Sequence, residues 1–228
     1  MPQPLSSTHH QIKSKQRVAA HGEVFTAERE VNAMLDLVKQ ETERIDSRFL
    51  EPACGNGNFL AEIIRKKLQM VTHHYQTSQA EWELYALLAV SSIYGIDILQ
   101  DNVTECRERL FEIINTKYTE LYKENGKDEY KESVRFVLQC NIIWGDALSL
   151  KLPDNSNIPI VFAEWSVVDL AAQTFNRRDY TMAKLMESQP MDYPNLFSDL
   201  GEQAFLQAPV KEYPTKHYLK INEYAKFL

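Results

Sequence analysis

The sequence predicts an α/β fold with a doubly wound, mainly parallel sheet, because short apolar segments alternate with amphipathic ones along its 228 residues. The strand candidates are residues 48–52, 93–97, 141–146 and 158–164. The helix candidates, in which apolar residues recur at helical spacing, lie before or between these strands at residues 27–44, 58–72, 80–92 and 100–123. Only seven glycines occur, and five of them lie beside a predicted strand end or the first helix. Since ligands of such folds bind beyond the carboxyl ends of the strands, this placement indicates a ligand site.

Composition and proline placement divide the chain into three parts. Residues 1–21 are predicted to be a flexible basic N-terminal arm, residues 22–170 the α/β domain, and residues 171–228 an irregular C-terminal extension. A hydrophobic content of 44% with 25% charged residues excludes wholesale disorder. Neither a membrane span nor a secretory signal is recognisable, so the sequence predicts a cytoplasmic protein without a membrane partner.

The charge and the cysteines restrict the chemistry further. A net charge of −7 argues against binding nucleic acid through a uniform positive field, although a local basic groove stays open. Cys54, Cys106 and Cys140 have an irregular spacing that fits neither a disulfide framework nor a metal site, so reduced thiols are expected. The histidine pairs at 9–10 and 73–74 have no ligands at metal spacing, and no metal site is predicted.

Residues 51–59, EPACGNGNF, form a loop between a predicted strand and helix, where backbone N–H groups point at a ligand. The loop matches neither GxGxxG nor the P-loop, so a phosphate cradle is less favoured, and Glu51 would attract a cationic amino group. Asp97 ends the second strand, where an acid accepts ribose hydroxyls. Asp146 ends the third and could accept from an adenine amine. S-adenosylmethionine fits this set, although each aspartate alone could also simply cap the next helix.

Four segments resemble the motifs of adenine-N6 DNA methyltransferases. Residues 51–59 resemble the first motif, YGIDI at 94–98 the second, and WGDAL at 144–148 the third. GEVFT at 22–26 is similar to the segment that closes over the methionine part of the cofactor in modification subunits of restriction systems. The resemblance implies a Rossmann-like methyltransferase fold. It implies that S-adenosylmethionine is bound by Phe25, Thr26, Glu51, Pro52, Ala53, Gly55, Asn56, Gly57, Phe59, Asp97, Ile98, Asp146 and Ala147.

The fourth predicted strand departs from the family pattern. Active members end it with a polar residue, Pro-Pro and an aromatic residue, whereas this chain has Ala163-Glu164-Trp165-Ser166. The candidate catalytic residues are therefore Glu164, which could accept from the target amine, and Trp165, which could stack on a flipped base. A core position for Trp165 is the alternative. Arg177 and Arg178 could meet phosphate or form a surface ion-pair cluster.

These patterns predict S-adenosylmethionine-dependent methylation of DNA adenine in a restriction-modification or phage-defence system. Methylation of a protein or a small molecule is a further alternative, because the sequence specifies the cofactor half of the site better than the acceptor half. Another alternative follows from the missing Pro-Pro turn: a catalytically silent S-adenosylmethionine-binding accessory or regulatory subunit that needs a partner chain. The partners that this predicts are DNA and a specificity or restriction subunit.

Overall fold

The computed structural model describes residues 13–183 and 208–227. Its helices are α1 (Lys15–His21), α2 (Glu28–Asp36), α3 (Lys39–Glu43), α4 (Asn58–Tyr75), α5 (Gln79–Ser91), α6 (Gln100–Tyr122) and α7 (Asp128–Asn141). Its strands are β1 (Phe49–Glu51), β2 (Ile93–Asp97), β3 (Ile142–Trp144), β4 (Val161–Asp169), β5 (Thr174–Thr181), β6 (Lys211–Glu212) and β7 (Lys216–His217). Short 3-10 helices cover Lys123–Asn125 and Tyr218–Phe227. Within the described ranges, no helix combines the length and apolar character needed to cross a bilayer.

A three-stranded parallel sheet organises the first part of the chain. β1, β2 and β3 lie side by side in that order, with Leu50 opposite Tyr94 and Ile96 opposite Ile143. Parallel neighbours require long crossover connections, and α4 with α5, then α6 with α7, supply them. A mixed α/β fold with a parallel sheet and intervening helices is thus confirmed.

The fourth predicted strand is present as β4, but its expected place in the parallel sheet and the irregular character expected of the C-terminal extension were wrong. β4 pairs antiparallel with β5, and β6 and β7 also pair with β5, so a second sheet replaces further parallel strands. β5 alternates between more and less buried positions, but two of the buried ones are Arg177 and Asp179. Because these inward residues are charged, the apolar alternation typical of a strand is missing from the sequence. Residues 184–207 of the predicted extension lie outside the described residues.

The two faces of the parallel sheet belong to two clusters of apolar side chains. Side chains alternate along a strand, so Tyr94 and Ile96 of β2 point away from the face that Ile93 occupies. Ile93 lies in the larger core, which includes residues from α4 to α7. Tyr94 and Ile96 pack instead with Ile160 and Phe162 at the start of β4. The second sheet therefore covers part of a face where the doubly wound prediction expects helices.

A buried carboxylate ties the helices to the C-terminal segment. Glu83 of α5 is fully buried and accepts hydrogen bonds from the hydroxyls of Tyr118 at 2.5 Å and Tyr218 at 2.6 Å. Lys127 lies 2.7 Å from the same carboxylate and balances its charge. A buried charge is tolerated only when it is paired and hydrogen-bonded, so Glu83 joins α5, α6 and Tyr218–Phe227 into one core.

The described part of the predicted flexible arm is helical and docked. Ser14 caps α1 by accepting a hydrogen bond from the Arg17 N–H at 3.1 Å. Gly22 ends the helix in the left-handed region with φ of 66°, a conformation that glycine adopts without strain. Residues 1–12 of the arm, with His9 and His10, lie outside the described residues.

Candidate functional site

The predicted motif segments meet at the carboxyl ends of β1, β2 and β3. The Gly55 N–H donates to Oδ2 of Asp97 at 2.8 Å, which joins the loop after β1 to the end of β2. The Cys54 N–H donates to the Ile96 carbonyl at 2.8 Å. The Gly145 N–H donates to the Asp97 carbonyl at 3.0 Å, which brings in the end of β3. These bonds make one edge out of segments that lie far apart in the sequence.

The loop of residues 51–59 takes a conformation that requires glycine. Gly55 and Gly57 have φ of 53° and 85°, in the left-handed region, and Gly57 precedes α4 as its N-cap. A Cβ on Gly57 would lie 2.6 Å from Sγ of Cys106, so a larger residue would also collide with α6. Phe59, in the first turn of α4, packs against the core. The loop backbone therefore lies close to both α6 and the space beyond the sheet.

Cys54 belongs to this loop and is buried. A hydrogen bond with Cys106, together with burial, raises the pKa of the Cys54 thiol far above its ordinary value. A thiol in that state is a poor nucleophile. The contact supports the expectation that Cys54 fits the tight turn.

The Asp97 carboxylate is only 8% exposed and is oriented by three donors. Oδ2 accepts from the Gly55 N–H, and Oδ1 accepts from the Leu99 N–H at 2.8 Å and from Asn102 Nδ2 at 3.3 Å. An ionised carboxylate offers about four acceptor positions, so Oδ2 keeps one for a ligand hydroxyl. Asp97 thus caps the start of α6, which was the alternative to a ligand-binding role. Its carboxylate also keeps one acceptor position open.

The GEVFT segment lies against the loop. A Cβ on Gly55 would be 3.0 Å from the ring of Phe25, which places that ring directly over the glycine backbone. The Thr26 carbonyl accepts from the side-chain amide of Asn58 at 3.1 Å. Phe25 is half-buried and Thr26 is exposed. The structure thus brings both predicted residues to the loop.

Two polar groups at the loop have unused capacity for hydrogen bonds. Burial raises the pKa of Glu51, which accepts a hydrogen bond from the Ala53 N–H. None of the ion pairs among residues 13–183 and 208–227 involves Glu51. The Oδ1 of Asn56 is buried without a partner in the described part of the chain, while its Nδ2 donates to Glu105 at 3.1 Å. Pro52 and Ala53 are exposed at the same turn.

Asp146 begins the turn after β3. Its Oδ1 accepts from the Leu148 N–H at 2.9 Å, and hydrogen bonds of this kind hold the pKa of Asp146 below its ordinary value. Asp146 and Ala147 are half-buried, and Ile98 is 45% exposed. The Trp144 indole N–H donates to the Ile98 carbonyl at 2.9 Å. The edge therefore combines an ionised carboxylate with an exposed apolar side chain beside it.

Comparison with protein-family models, with curated proteins and with solved structures found no match. The assignment of a ligand therefore depends on the geometry of this edge. Among the described residues, no three His, Cys, Asp or Glu side chains come together in a way that could hold a metal ion. His73 and His74 are exposed on α4.

The two candidate catalytic residues do not join the edge. Both lie within β4, at positions that pair with β5, instead of in a turn after a strand. Glu164 forms an ion pair with Arg48 at 2.8 Å. Trp165 is 4% exposed and donates its indole N–H to Asn141 at 3.0 Å. A side chain enclosed in this way cannot stack on a base, so the structure assigns Trp165 to the core.

The arginines proposed for phosphate contact are also engaged. Arg177 is buried and forms a two-point ion pair with Asp179, at 2.7 and 2.9 Å. Arg178 pairs with Glu212 at 2.9 Å on the surface. The ion-pair alternative therefore describes both residues.

Sequence reasoning missed a polar network next to the site. Asn102 of α6 is 1% exposed and contacts Asp97, and it also contacts Glu23 and Arg17 of the N-terminal segment. A signal was present, because Asn102 lies five residues after Asp97 on a helix face that is otherwise apolar. A polar residue at such a position needs partners in the fold.

Proposed function

We propose that this chain binds S-adenosylmethionine at the carboxyl edge of β1 to β3 and takes part in methylation of DNA adenine. The observation that carries the proposal is the hydrogen bond from the Gly55 N–H to Asp97, which unites the glycine loop with the acid that ends β2. Asp97 would accept a ribose hydroxyl at the open position of Oδ2, and Asp146 the adenine amine. A Rossmann-like methyltransferase arrangement of the parallel sheet belongs to the same proposal.

The polar groups around the loop suit this ligand. Glu51 is a partly desolvated carboxylate for which no ion pair is found within the described ranges, and an opposite charge favours the ionised form of such a group. The ammonium group of the methionine part supplies that charge. The buried Oδ1 of Asn56 has no donor among the described residues, and a ligand amino group would satisfy it. Phe25, above Gly55, would exclude water from the same space.

The residues act by binding and orientation. When bound, S-adenosylmethionine supplies a methyl group on a positively charged sulfur. Glu51 and Asn56 would hold the amino-acid end, and Asp97 would fix the ribose, so that one face of the sulfur is presented to the acceptor. Orientation of this kind contributes several kcal/mol to a group transfer.

A second candidate function is cofactor binding without methyl transfer by the isolated chain. The engagement of Glu164 and the burial of Trp165 favour it, because neither residue can meet an acceptor amine. In that case a partner chain, such as a specificity or restriction subunit, would supply the acceptor site. A protein or small-molecule acceptor would satisfy the same cofactor edge.

Calorimetric titration with S-adenosylmethionine, followed by tritium transfer to unmethylated DNA, tests both candidates. We expect binding by the wild-type chain and its loss in Asp97→Ala, with Asp154→Ala as the control. Asp154 is an exposed aspartate that is not among the proposed ligand-binding residues, and its carboxylate accepts from the Ser156 N–H. Transfer to DNA supports the first candidate, and binding without transfer supports the second. The absence of binding would refute both.

A further inference from the structure

The side-chain amide of Asn102 lies between two carboxylates and two cations. Its Nδ2 donates to Glu23 at 2.7 Å and to Asp97 at 3.3 Å. Its Oδ1 accepts from Lys13 at 2.8 Å and from Arg17 at 3.1 Å. Rotating the amide by half a turn would point its oxygen at both carboxylates, so these four partners fix its orientation.

The same partners hold residues 13–26, which we call the N-terminal clamp, against the start of α6. Arg17 binds Glu23 at 2.5 and 2.8 Å within the clamp and Asp101 of α6 at 2.5 Å. These hydrogen bonds raise the pKa of Arg17 above its ordinary value, and it stays charged. At the other end of the clamp, Phe25 covers Gly55. The clamp is therefore attached both to α6 and to the glycine loop.

Asn102 is the side chain that the clamp and Asp97 share. Without its amide, Oδ1 of Asp97 would keep only the Leu99 N–H, and the buried Glu23 would lose one of its donors. A carboxylate with fewer fixed donors has more orientations available. Opening of the clamp would withdraw Glu23 from the amide that contacts Asp97, so the two events would be coupled, and coupling of this kind is reciprocal.

We propose that Asn102 is a positioning residue that couples closure of the N-terminal clamp to the orientation of Asp97 toward a ligand ribose. This inference rests on the proposed function, because it takes the ribose of the adenosyl cofactor as the group that Asp97 holds. Asn102 itself touches the ligand at no point. Its effect passes through the Asp97 carboxylate.

The test compares S-adenosylhomocysteine with its 2′-deoxyribose analogue by calorimetric titration. The wild-type chain should prefer the ribose ligand by at least about tenfold, the size of one hydrogen bond to a charged group. Asn102→Ala should reduce that preference to less than about threefold. Thr104→Ala, an exposed change on the same helix, should leave it intact. Equal losses for both ligands, with the preference kept, would reduce Asn102 to a structural role and overturn the proposal.

Arg17→Ala gives a second route, because it removes one partner of Asn102 and leaves the Asn102 side chain itself in place. Arg17 and Asn102 act through one network, so the double variant should lose no more ribose preference than Asn102→Ala alone. Fully additive losses would contradict the shared network. Lys117→Ala is the matched control, because it breaks an exposed pair with Glu120 elsewhere on α6.

Limited trypsin cleavage measures the clamp without any ligand. Cleavage after Lys15 should be faster in Asn102→Ala than in Thr104→Ala, and S-adenosylhomocysteine should slow it in the wild-type chain and in Thr104→Ala but not in Asn102→Ala. If the wild-type chain binds neither adenosyl ligand, the proposed function fails and this role of Asn102 fails with it. If the chain binds both ligands and cleavage after Lys15 is the same in every variant, only the positioning proposal is overturned.

Discussion

The edge of the parallel sheet and the β4–β5 hairpin both carry residues that the sequence marks as functional, but they use polar groups differently. At the edge, Glu51 and Asn56 keep unused capacity, and Oδ2 of Asp97 keeps an acceptor position. In the hairpin, Glu164 and Trp165 have protein partners. Ligand sites need the first condition, and stable cores need the second.

The difference shows how to separate a site from a core within one sheet protein. Arg177 and Asp179 are charged and buried, which in isolation is typical of a functional site. They form a two-point pair with each other, and Tyr213 donates a further hydrogen bond to Asp179 at 2.9 Å. Arg177 Nη1 nevertheless stays buried without a hydrogen-bond partner among the described residues, so unused polar capacity indicates a site only together with a position at the carboxyl ends of the parallel strands.

The largest loss of stability should come from Trp165→Ala, which removes a buried side chain from the hairpin. Removal of a buried tryptophan costs about 3–5 kcal/mol of unfolding free energy through lost packing and a cavity. Urea denaturation followed by circular dichroism measures it, with the smaller change expected for Trp165→Phe. Ligand affinity should be unchanged while the variant is folded. Unchanged stability with lost methyl transfer would instead make Trp165 part of an acceptor site.

The next effect should come from Gly57→Ala at the edge. The positive φ and the 2.6 Å approach to Cys106 act together, so we expect a loss of about 2–3 kcal/mol in stability and weaker cofactor binding. Gly22→Ala is the matched control, since it has φ of 66° but no atom within 4 Å of its Cβ position. It should cost about 1 kcal/mol. Equal costs at the two glycines would show that the crowding contributes nothing.

A smaller effect on stability and on ligand affinity should come from the protonation state of Glu51. Burial raises its folded-state pKa above the ordinary value of 4.5, so this group favours folding at low pH, and that contribution is lost as the pH rises through the raised pKa. Ligand binding has the opposite sign, because only the ionised form attracts an ammonium group. Affinity for S-adenosylmethionine should therefore fall as the pH drops through the raised pKa.

Titrations from about pH 5 to about pH 8 measure this dependence. Glu51→Gln should bind about tenfold more weakly at neutral pH, about 1.4 kcal/mol, and should lack the step. A step of the same size in Glu51→Gln would assign the titration to another group.

The smallest effect should be that of Glu164→Gln. Its ion pair with Arg48 is partly exposed, and such pairs contribute about 1 kcal/mol or less. The midpoint of thermal unfolding should fall slightly. The decrease should be similar to that caused by Glu212→Gln, which breaks the surface pair with Arg178. Cofactor affinity should not change. A folded Glu164→Gln protein that loses methyl transfer would return Glu164 to the acceptor site.

The sequence predicts β1 to β3 and most of the helices between them, because these signals are local, but it does not predict α7. Short apolar runs that end in Asp97 or precede Gly55 predicted β1 and β2 and the meeting of their ends. The predicted helix over residues 27–44 is instead divided into α2 and α3, with Leu37 between them 86% exposed. Periodicity over a long window did not reveal this interruption.

The antiparallel sheet was not predicted, because the contacts that define it are visible only in the folded chain. β5 buries Arg177 and Asp179 where a strand pattern expects apolar residues, and their pairing is visible only in the fold. Asn102 was missed for the same reason, since its partners Glu23 and Arg17 lie about eighty residues earlier. Long-range pairs of polar residues leave no periodic pattern in a single sequence.

Glu83 has a consequence for how the chain is made. The hydroxyl of Tyr218, which binds its carboxylate, is 135 residues later in the sequence. At about 5–20 residues per second, translation reaches Tyr218 roughly 7–27 s after Glu83. During that interval the Glu83 carboxylate has Tyr118 and Lys127 but lacks the Tyr218 hydroxyl, which weakens the docking of α5. Final closure of the core around Glu83 therefore waits until Tyr218 has been synthesised.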